Sequence, residues 1–274
     1  MSDALLVLDL DDPRTCDVRR AGGKGASLAN MIRNGIRVPP GFVVTAPAFV
    51  QAVDGTALLS ALQAGDLDMA RELVASAQPP RDLVKQAYDR LPAGPVAVRS
   101  SACAEDGDAA SYAGQQETFL FVRDLDDVLR AIVGCWLSFF SERAVFYRQH
   151  KGSLDDVAMA VVVQRMVDAT KSGVLFTVDP VTRRRDRVVV EAARGIGEQV
   201  VSGQVTPDHY TIDHRGTVKR RRIAGERVMS DDELAELTLL GLKLAELNGC
   251  PQDIEWAYDD TGLYMLQSRP VTTV

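Results

Sequence analysis

Between Asp124 and about Gln149 the apolar side chains return every fourth residue: Val128, Ile132, Trp136, Phe140 and Ala144, with Val133 and Leu137 beside them. That spacing predicts a long helix with one buried stripe. Leu28, Met31 and Ile32 share a face of an earlier helix, which Gly35 ends in the left-handed conformation and which Pro39 and Pro40 cannot continue. Residues 56–91 carry helical stretches of modest amphipathicity. A further helix over 230–247 opens with the capping pattern Ser230-x-x-Glu233 and closes at Asn248-Gly249. Strand patterns occupy VAVRSS (96–101), MAVVVQRMV (159–167), GVLFTVDP (173–180) and RVVVEAARG (187–195), the last three separated by DATKS and by the basic turn TRRRD. Two more strands, DIEWAYD (253–259) and LYMLQSRPV (263–271), finish the chain. Helices and strands mix irregularly, so the class is α+β rather than the βαβ alternation of a doubly wound sheet.

Composition narrows the functional classes. The 274 residues are 46% hydrophobic and 25% charged, ample for one large domain or two lobes. A formal net charge of -7 argues against DNA or RNA as the main partner, while leaving room for a local basic pocket. The N-terminus MSDALLVLDLDDP has no basic n-region, and no run of about 18 apolar residues occurs, so a cytoplasmic protein without a membrane partner is expected. Cys16, Cys103, Cys135 and Cys250 are scattered without C-x-x-C spacing and read as reduced packing residues.

Three stretches carry candidate chemistry. In AGGKGAS (21–27), glycines flanking Lys24 at a helix start offer open backbone N–H groups, a positive helix end and one ammonium, a combination suited to phosphate. The pattern matches neither G-x-x-x-x-G-K-[ST] nor G-x-G-x-x-G, so a purely structural turn remains the alternative. Arg99, at the mouth of a strand, presents a planar fork for a pair of phosphate oxygens, or else pairs with a nearby carboxylate. The small-residue loop after it, around Tyr112-Ala113-Gly114, suits a lid over a ligand, though such loops are often surface excursions. At the C-terminus, a three-residue hairpin loop Asp260-Thr261-Gly262 would set Asp259 against Leu263, Glu255 against Gln267 and Asp253 against Arg269. One face would then be wholly polar, with Ile254, Trp256 and Leu266 turned into a core. Carboxylate and amide oxygens beside an Arg suit Mg²⁺ and a polyphosphate; an ordinary solvated face with a cross-strand ion pair is the competing view.

Taken together, these stretches resemble the N-terminal nucleotide-binding domain of the phosphoenolpyruvate synthase, pyruvate phosphate dikinase and rifampicin phosphotransferase family, an ATP-grasp fold with two lobes and a nucleotide cleft between them. The resemblance lies in GGKGASL, VPPGFVVT, VRSSACAED, SYAGQQETFL, VVVQRMV, SGVLFTVDPVT, EAARGIGEQVVSGQVTPDHY, DIEWAY and LQSRPVT, in one order from about residue 20 to the end. It implies a single ATP-grasp domain over 1–274 with a lobe boundary near 158–168. Lys24, Arg99 and Arg269 would handle ATP phosphates. Ser111, Tyr112, Ala113, Gly114, Gln115 and Thr118 would form the loop over the triphosphate. Gln164, Met166 and Val167 would contact adenine, Asp253 would complete the phosphate wall, and Glu255 and Gln267 would hold Mg²⁺.

By the same resemblance the β-phosphate of Mg–ATP passes to a histidine on a separate swivelling carrier, releasing AMP, with an acceptor-binding protein or domain beyond it. His150, His209 and His214 lack the Gly-rich context of that carrier histidine and read as structural or surface residues. Two other functions fit the chain: a catalytically silent ATP-binding regulator, and an ATP-grasp carboxylate ligase that releases ADP.

Overall fold

The computed structural model describes residues 5–103, 117–140, 158–196 and 205–271. The chain divides into two compact units, one formed by Met1–Asn30 and Pro40–Met166, the other by Met31–Pro39 and Val167–Val274. Both are built on antiparallel sheets flanked by helices, so the α+β expectation is met. Among the described residues no helix is long and apolar enough to cross a membrane.

In the first unit, β1 (Val7–Asp9), β2 (Gly41–Val44), β3 (Val96–Ala102), β4 (Thr118–Val122) and β5 (Met159–Arg165) form a five-stranded sheet ordered β1-β2-β5-β3-β4. One face packs Phe42, Val44, Val96, Val98, Val161 and Val163 against a helical layer. That layer contains α2 (Ala46–Ala52), α3 (Gly55–Ala64), α4 (Leu67–Ala75), α5 (Arg81–Arg90) and α6 (Leu125–Ser138). The fourfold spacing in α6 delivers Val128, Ile132 and Trp136 fully into this core, where Phe49 meets the Trp136 ring edge-on. Asp124 caps the helix by accepting from the Asp127 N–H. The expected extension of this helix through Ala144 to Gln149, and His150 after it, lie outside the described residues. Burial pushes the thiols of Cys103 and Cys135 up to about 11 and about 12, so both stay protonated packing groups at neutral pH.

The opposite face of this sheet carries α1 (Val18–Arg33). Gly35 ends that helix at φ 70, as expected.

In the second unit, β6 (Lys171–Phe176), β7 (Arg187–Arg194), β8 (Asp208–Asp213), β9 (Val218–Arg222), β10 (Gln252–Asp259) and β11 (Gly262–Pro270) make a sheet ordered β11-β10-β6-β7-β8-β9. One face is apolar, with Leu175, Val188, Val190, Tyr210, Ile212, Ile254, Trp256 and Met265 all buried. Helix α7 (Asp231–Asn248) packs against β6 and β10. Its approach is close: a side-chain carbon added to Gly241 would lie 2.7 Å from Leu175 Cδ2. The capping box at Ser230 and Glu233 and the left-handed Gly249 both form as the sequence predicts.

Inside this core, the Thr238 hydroxyl is fully buried and has no hydrogen-bond partner among the described residues. Burying an unpaired hydroxyl costs about 1–3 kcal/mol. Thr238→Val, which keeps the shape and removes the orphan, should therefore stabilise the protein by about 1 kcal/mol. A melting temperature roughly 2–4 °C higher is expected; a lower one would show that the hydroxyl is bonded.

Candidate functional site

The Gly-rich turn acquires its shape from one residue. Gly22 adopts φ 67 and ψ 172 and breaks α1 just before Gly23 and Lys24, so the helical amides start afresh there. A Cβ at Gly22 would sit 2.2 Å from the Ser101 carbonyl oxygen, which makes glycine obligatory at this approach. Ser101, buried at the end of β3, donates from its hydroxyl to the Ala21 carbonyl (2.7 Å) and accepts from the Gly25 N–H (3.2 Å). Lys24 Nζ donates to the Ser100 carbonyl at 2.8 Å. The turn is thereby fastened to the strand that carries Arg99. Gly23 is exposed, and among the described residues only the Ala102 carbonyl lies within 4 Å of where its Cβ would be.

The register of the first sheet gathers further predicted residues. Arg99 pairs with Val162 on β5 and with Thr118 on β4, while Gln164 pairs with Ala97 and Gly41. By two-residue alternation Arg99, Ser101, Thr118 and Gln164 all face away from the helical core, on the side where Gly25 of α1 meets Val43 and Val162. Met166 lies just past β5, its N–H donating to the Pro95 carbonyl and its sulfur accepting from the Phe121 N–H. Ser111, Tyr112, Ala113, Gly114 and Gln115 lie outside the described residues.

In the second unit, β10 and β11 pair Asp253 with Arg269 and Glu255 with Gln267, as the sequence predicts. The route differs. The turn has two residues, Asp260 and Thr261, with Asp259 opposite Gly262 rather than Leu263; a bulge between Glu255 and Trp256 then adds the extra residue and restores the pairing. Met265, fully buried opposite Trp256, takes the core place expected of Leu266, which is only half-buried. The turn is tied to the 31–39 segment by Arg37, which donates to the Thr261 carbonyl, the Thr261 hydroxyl and the Tyr264 hydroxyl at 2.6 Å each.

Arg269 grips Asp253 through Nε at 2.9 Å and Nη2 at 2.8 Å. Burial nonetheless raises the Asp253 pKa above its usual value, with Arg269 opposing the shift and Glu255 adding to it. This face therefore holds carboxylate charge that a bound cation would stabilise. Asp253, Glu255 and the Gln267 amide supply hard oxygen donors, which fit Mg²⁺. Across the same face, Glu255 lies in one row with Val174, Glu191 and His209, and Asp253 with Phe176, Val189 and Thr211. His209 Nδ1 stands 3.7 Å from the Glu191 carboxylate. Val167 precedes β6, in this unit. Among the described residues, no group of three or more His, Cys, Asp and Glu forms a ready metal cluster.

Ser101 was not singled out in the sequence reading, and Gly22 was read there only as one of the open glycines around Lys24, not as the point where Ser101 approaches. Their signal, a second serine after VAVRS and the first glycine of GGKG, is visible only once the two stretches are known to touch.

The residues define an α+β protein with a glycine-rich turn bearing Lys24 in one unit and an acidic, amide-bearing hairpin in the other. The chain belongs to the pyruvate phosphate dikinase AMP/ATP-binding domain family, whose model matches residues 18–274. It is 40% identical to a probable phosphoenolpyruvate synthase of Methanocaldococcus jannaschii over 97% of its own length and 26% of that protein's. A rifampicin phosphotransferase of Streptomyces sp is 41% identical, with 98% of this chain and 36% of the relative covered. The chain thus spans about a quarter to a third of these relatives. Among solved structures, an ATP-grasp ligase, PsnB, complexed with Mg and ADP aligns over 95% of this chain and 52% of that one, at 10% identity and a TM-score of 0.36. A likeness of that size adds nothing to the family assignment.

Proposed function

We propose that this chain binds Mg–ATP and catalyses the nucleotide half of a dikinase-type reaction, transferring the β-phosphate to a histidine on a separate carrier and releasing AMP. The observation that carries this reading is the β10–β11 register, which sets a carboxylate–amide pair beside a carboxylate–guanidinium pair on one sheet face. Membership of an AMP/ATP-binding domain family supports it. In the proposed roles, Lys24, Arg99 and Arg269 bind phosphate oxygens, and Gln164, Met166 and Val167 receive the adenine. Glu255 and Gln267, next to Asp253, hold Mg²⁺, which neutralises charge on the phosphates when bound. The loop 111–115 with Thr118 covers the triphosphate. An acceptor-binding protein or domain takes the phosphoryl group onward, in the cytoplasm.

Phosphoryl transfer depends chiefly on positioning and charge stabilisation. Lys24 projects from a helix start pinned to the strand that carries Arg99, and its ammonium is already held at the Ser100 carbonyl, so it has less freedom to lose on binding. Arg269 must exchange part of its contact with Asp253 for phosphate, and a metal beside Glu255 would compensate the carboxylate it leaves.

Saturating Mg–ATP at about 100 times its dissociation constant should stabilise the protein by roughly 2.7 kcal/mol. Arg99→Ala, Arg269→Ala and Lys24→Ala should each weaken binding by about tenfold or more, since a charge-assisted hydrogen bond contributes on the order of 1.5–3 kcal/mol. A melting curve unmoved by Mg–ATP, or wild-type affinity in all three variants, would overturn the site.

A further inference from the structure

Charge is distributed unevenly along this acidic chain. Residues 182–187 and 213–227 together hold ten Lys and Arg against three Asp and Glu, in a protein whose net charge is -7. The fold brings these two segments side by side: Arg187 at the start of β7 pairs with Asp213 at the end of β8, so the β6–β7 turn adjoins the β8–β9 hairpin. Several of the cations are neutralised locally, Arg184 and Arg187 by Asp186, Lys219 by Asp213, and Arg221 by Asp231. Arg183, Arg185, Arg215, Arg220 and Arg222 make no ion pair with any described residue, and all five are exposed.

An apolar residue stands in the midst of these charges. Val181 is 88% exposed, the most exposed of the large hydrophobic side chains described. The turn that presents it is ordered by Asp179, whose carboxylate accepts from the Val181 and Thr182 N–H groups at 2.9 Å each. Arg183 is held there at φ 58, a left-handed conformation that a non-glycine residue adopts at some cost. An exposed apolar tip rimmed by arginines has the composition of a protein interface, where an apolar anchor is buried and Arg contributes strongly. Basic residues on the β9 edge also discourage strand addition. That role accounts for Arg220 and Arg222 and leaves the β6–β7 turn unexplained.

Position adds to this. Phe176, the last residue of β6, pairs with Asp253, which pairs with Arg269, so the turn emerges from the sheet at the end where Asp253 and Arg269 lie. Arg220 and Arg222 pair with Thr211 and His209 and share the polar face that carries Glu255.

We propose that the β6–β7 turn and the β8–β9 hairpin form a docking surface for an acidic protein face containing an apolar residue that covers Val181. Identifying that partner as the histidine carrier rests on the phosphotransfer reading above; the surface itself does not. A salt-sensitive, modest contact suits a partner that must dock and leave.

Defined polymers test the surface directly. At low ionic strength the wild-type chain should bind a random Glu–Tyr copolymer, more weakly as salt rises, and more tightly than poly-L-glutamate of equal length. The quadruple variant Arg183→Asn, Arg185→Glu, Arg220→Glu, Arg222→Glu should lose at least tenfold in affinity, and Val181→Ser should remove the preference for the copolymer. Absence of binding, unchanged affinity in the quadruple variant, or tighter binding to polyuridylate than to the copolymer would each overturn the proposal. Mg–ATP affinity, measured on the same proteins, should be unaltered in the variants. Its absence from the wild type would refute the phosphotransfer reading and leave the docking result standing.

Discussion

Gly22→Ala should destabilise the protein by about 3 kcal/mol or more, the largest effect of any single methyl group in the glycine-rich turn. Two terms combine. At φ 67 and ψ 172 only glycine is at ease, and forcing a side chain there costs on the order of 1–3 kcal/mol. The added carbon would also sit 2.2 Å from the Ser101 carbonyl oxygen and 2.3 Å from its hydroxyl, so the strand end or the turn must move. Movement breaks the Ser101 bridge between Ala21 and Gly25 and displaces Lys24 from the Ser100 carbonyl. A melting temperature lower by roughly 6–12 °C is expected, with Mg–ATP affinity reduced as well. Gly35→Ala is the internal comparison: φ is 70 there, but among the described residues nothing lies within 4 Å, so the conformational term of about 1 kcal/mol acts alone. Equal losses from the two substitutions would show that the Ser101 contact does not hold the turn.

Glu255→Gln should lower turnover by roughly 100-fold or more while Mg–ATP affinity falls by less than about tenfold. The substitution keeps the size and the cross-strand place opposite Gln267, and removes one negative charge from the face. A metal held there contributes most as charge redistributes among the phosphate oxygens, so the deficit falls on the chemical step. The variant should also require more Mg²⁺ for half-maximal rate. Unchanged turnover and an unchanged Mg²⁺ requirement would remove the hairpin from catalysis. A parallel loss of affinity and turnover would instead assign Glu255 to ground-state binding.

The hairpin also shows how far sequence reasoning reached. Alternation set the polar residues on one face correctly because a buried partner face leaves no other choice: Ile254 and Trp256 must go inward. Turn length was not legible. Asp260-Thr261-Gly262 reads as a three-residue loop, yet Arg37 from a distant segment binds Thr261 and Tyr264 and helps hold a two-residue turn, and the displaced residue reappears as a bulge at Leu266. Long amphipathic helices were legible for the same reason as the sheet face, since periodicity alone specifies which side is buried. The edge strand VKRRR was not, because four consecutive cations carry no apolar alternation. Strand β4 was hidden too, read as part of the loop, although Thr118 pairs with Arg99. Lys24 and Arg99 were identified separately by charge and glycine context; that Ser101 ties them together depends on a contact across some 80 residues, which no local pattern contains.

The proposed transfer of the β-phosphate to a histidine-bearing carrier makes one measurement decisive. The chain is mixed with a histidine-bearing carrier protein and with ATP labelled at either the β or the γ phosphorus, and the products are resolved. The account predicts AMP as the nucleotide product and β-label on the carrier as an acid-labile, base-stable phosphohistidine. Label reaching the carrier from the γ position alone, with ADP as product, would contradict it.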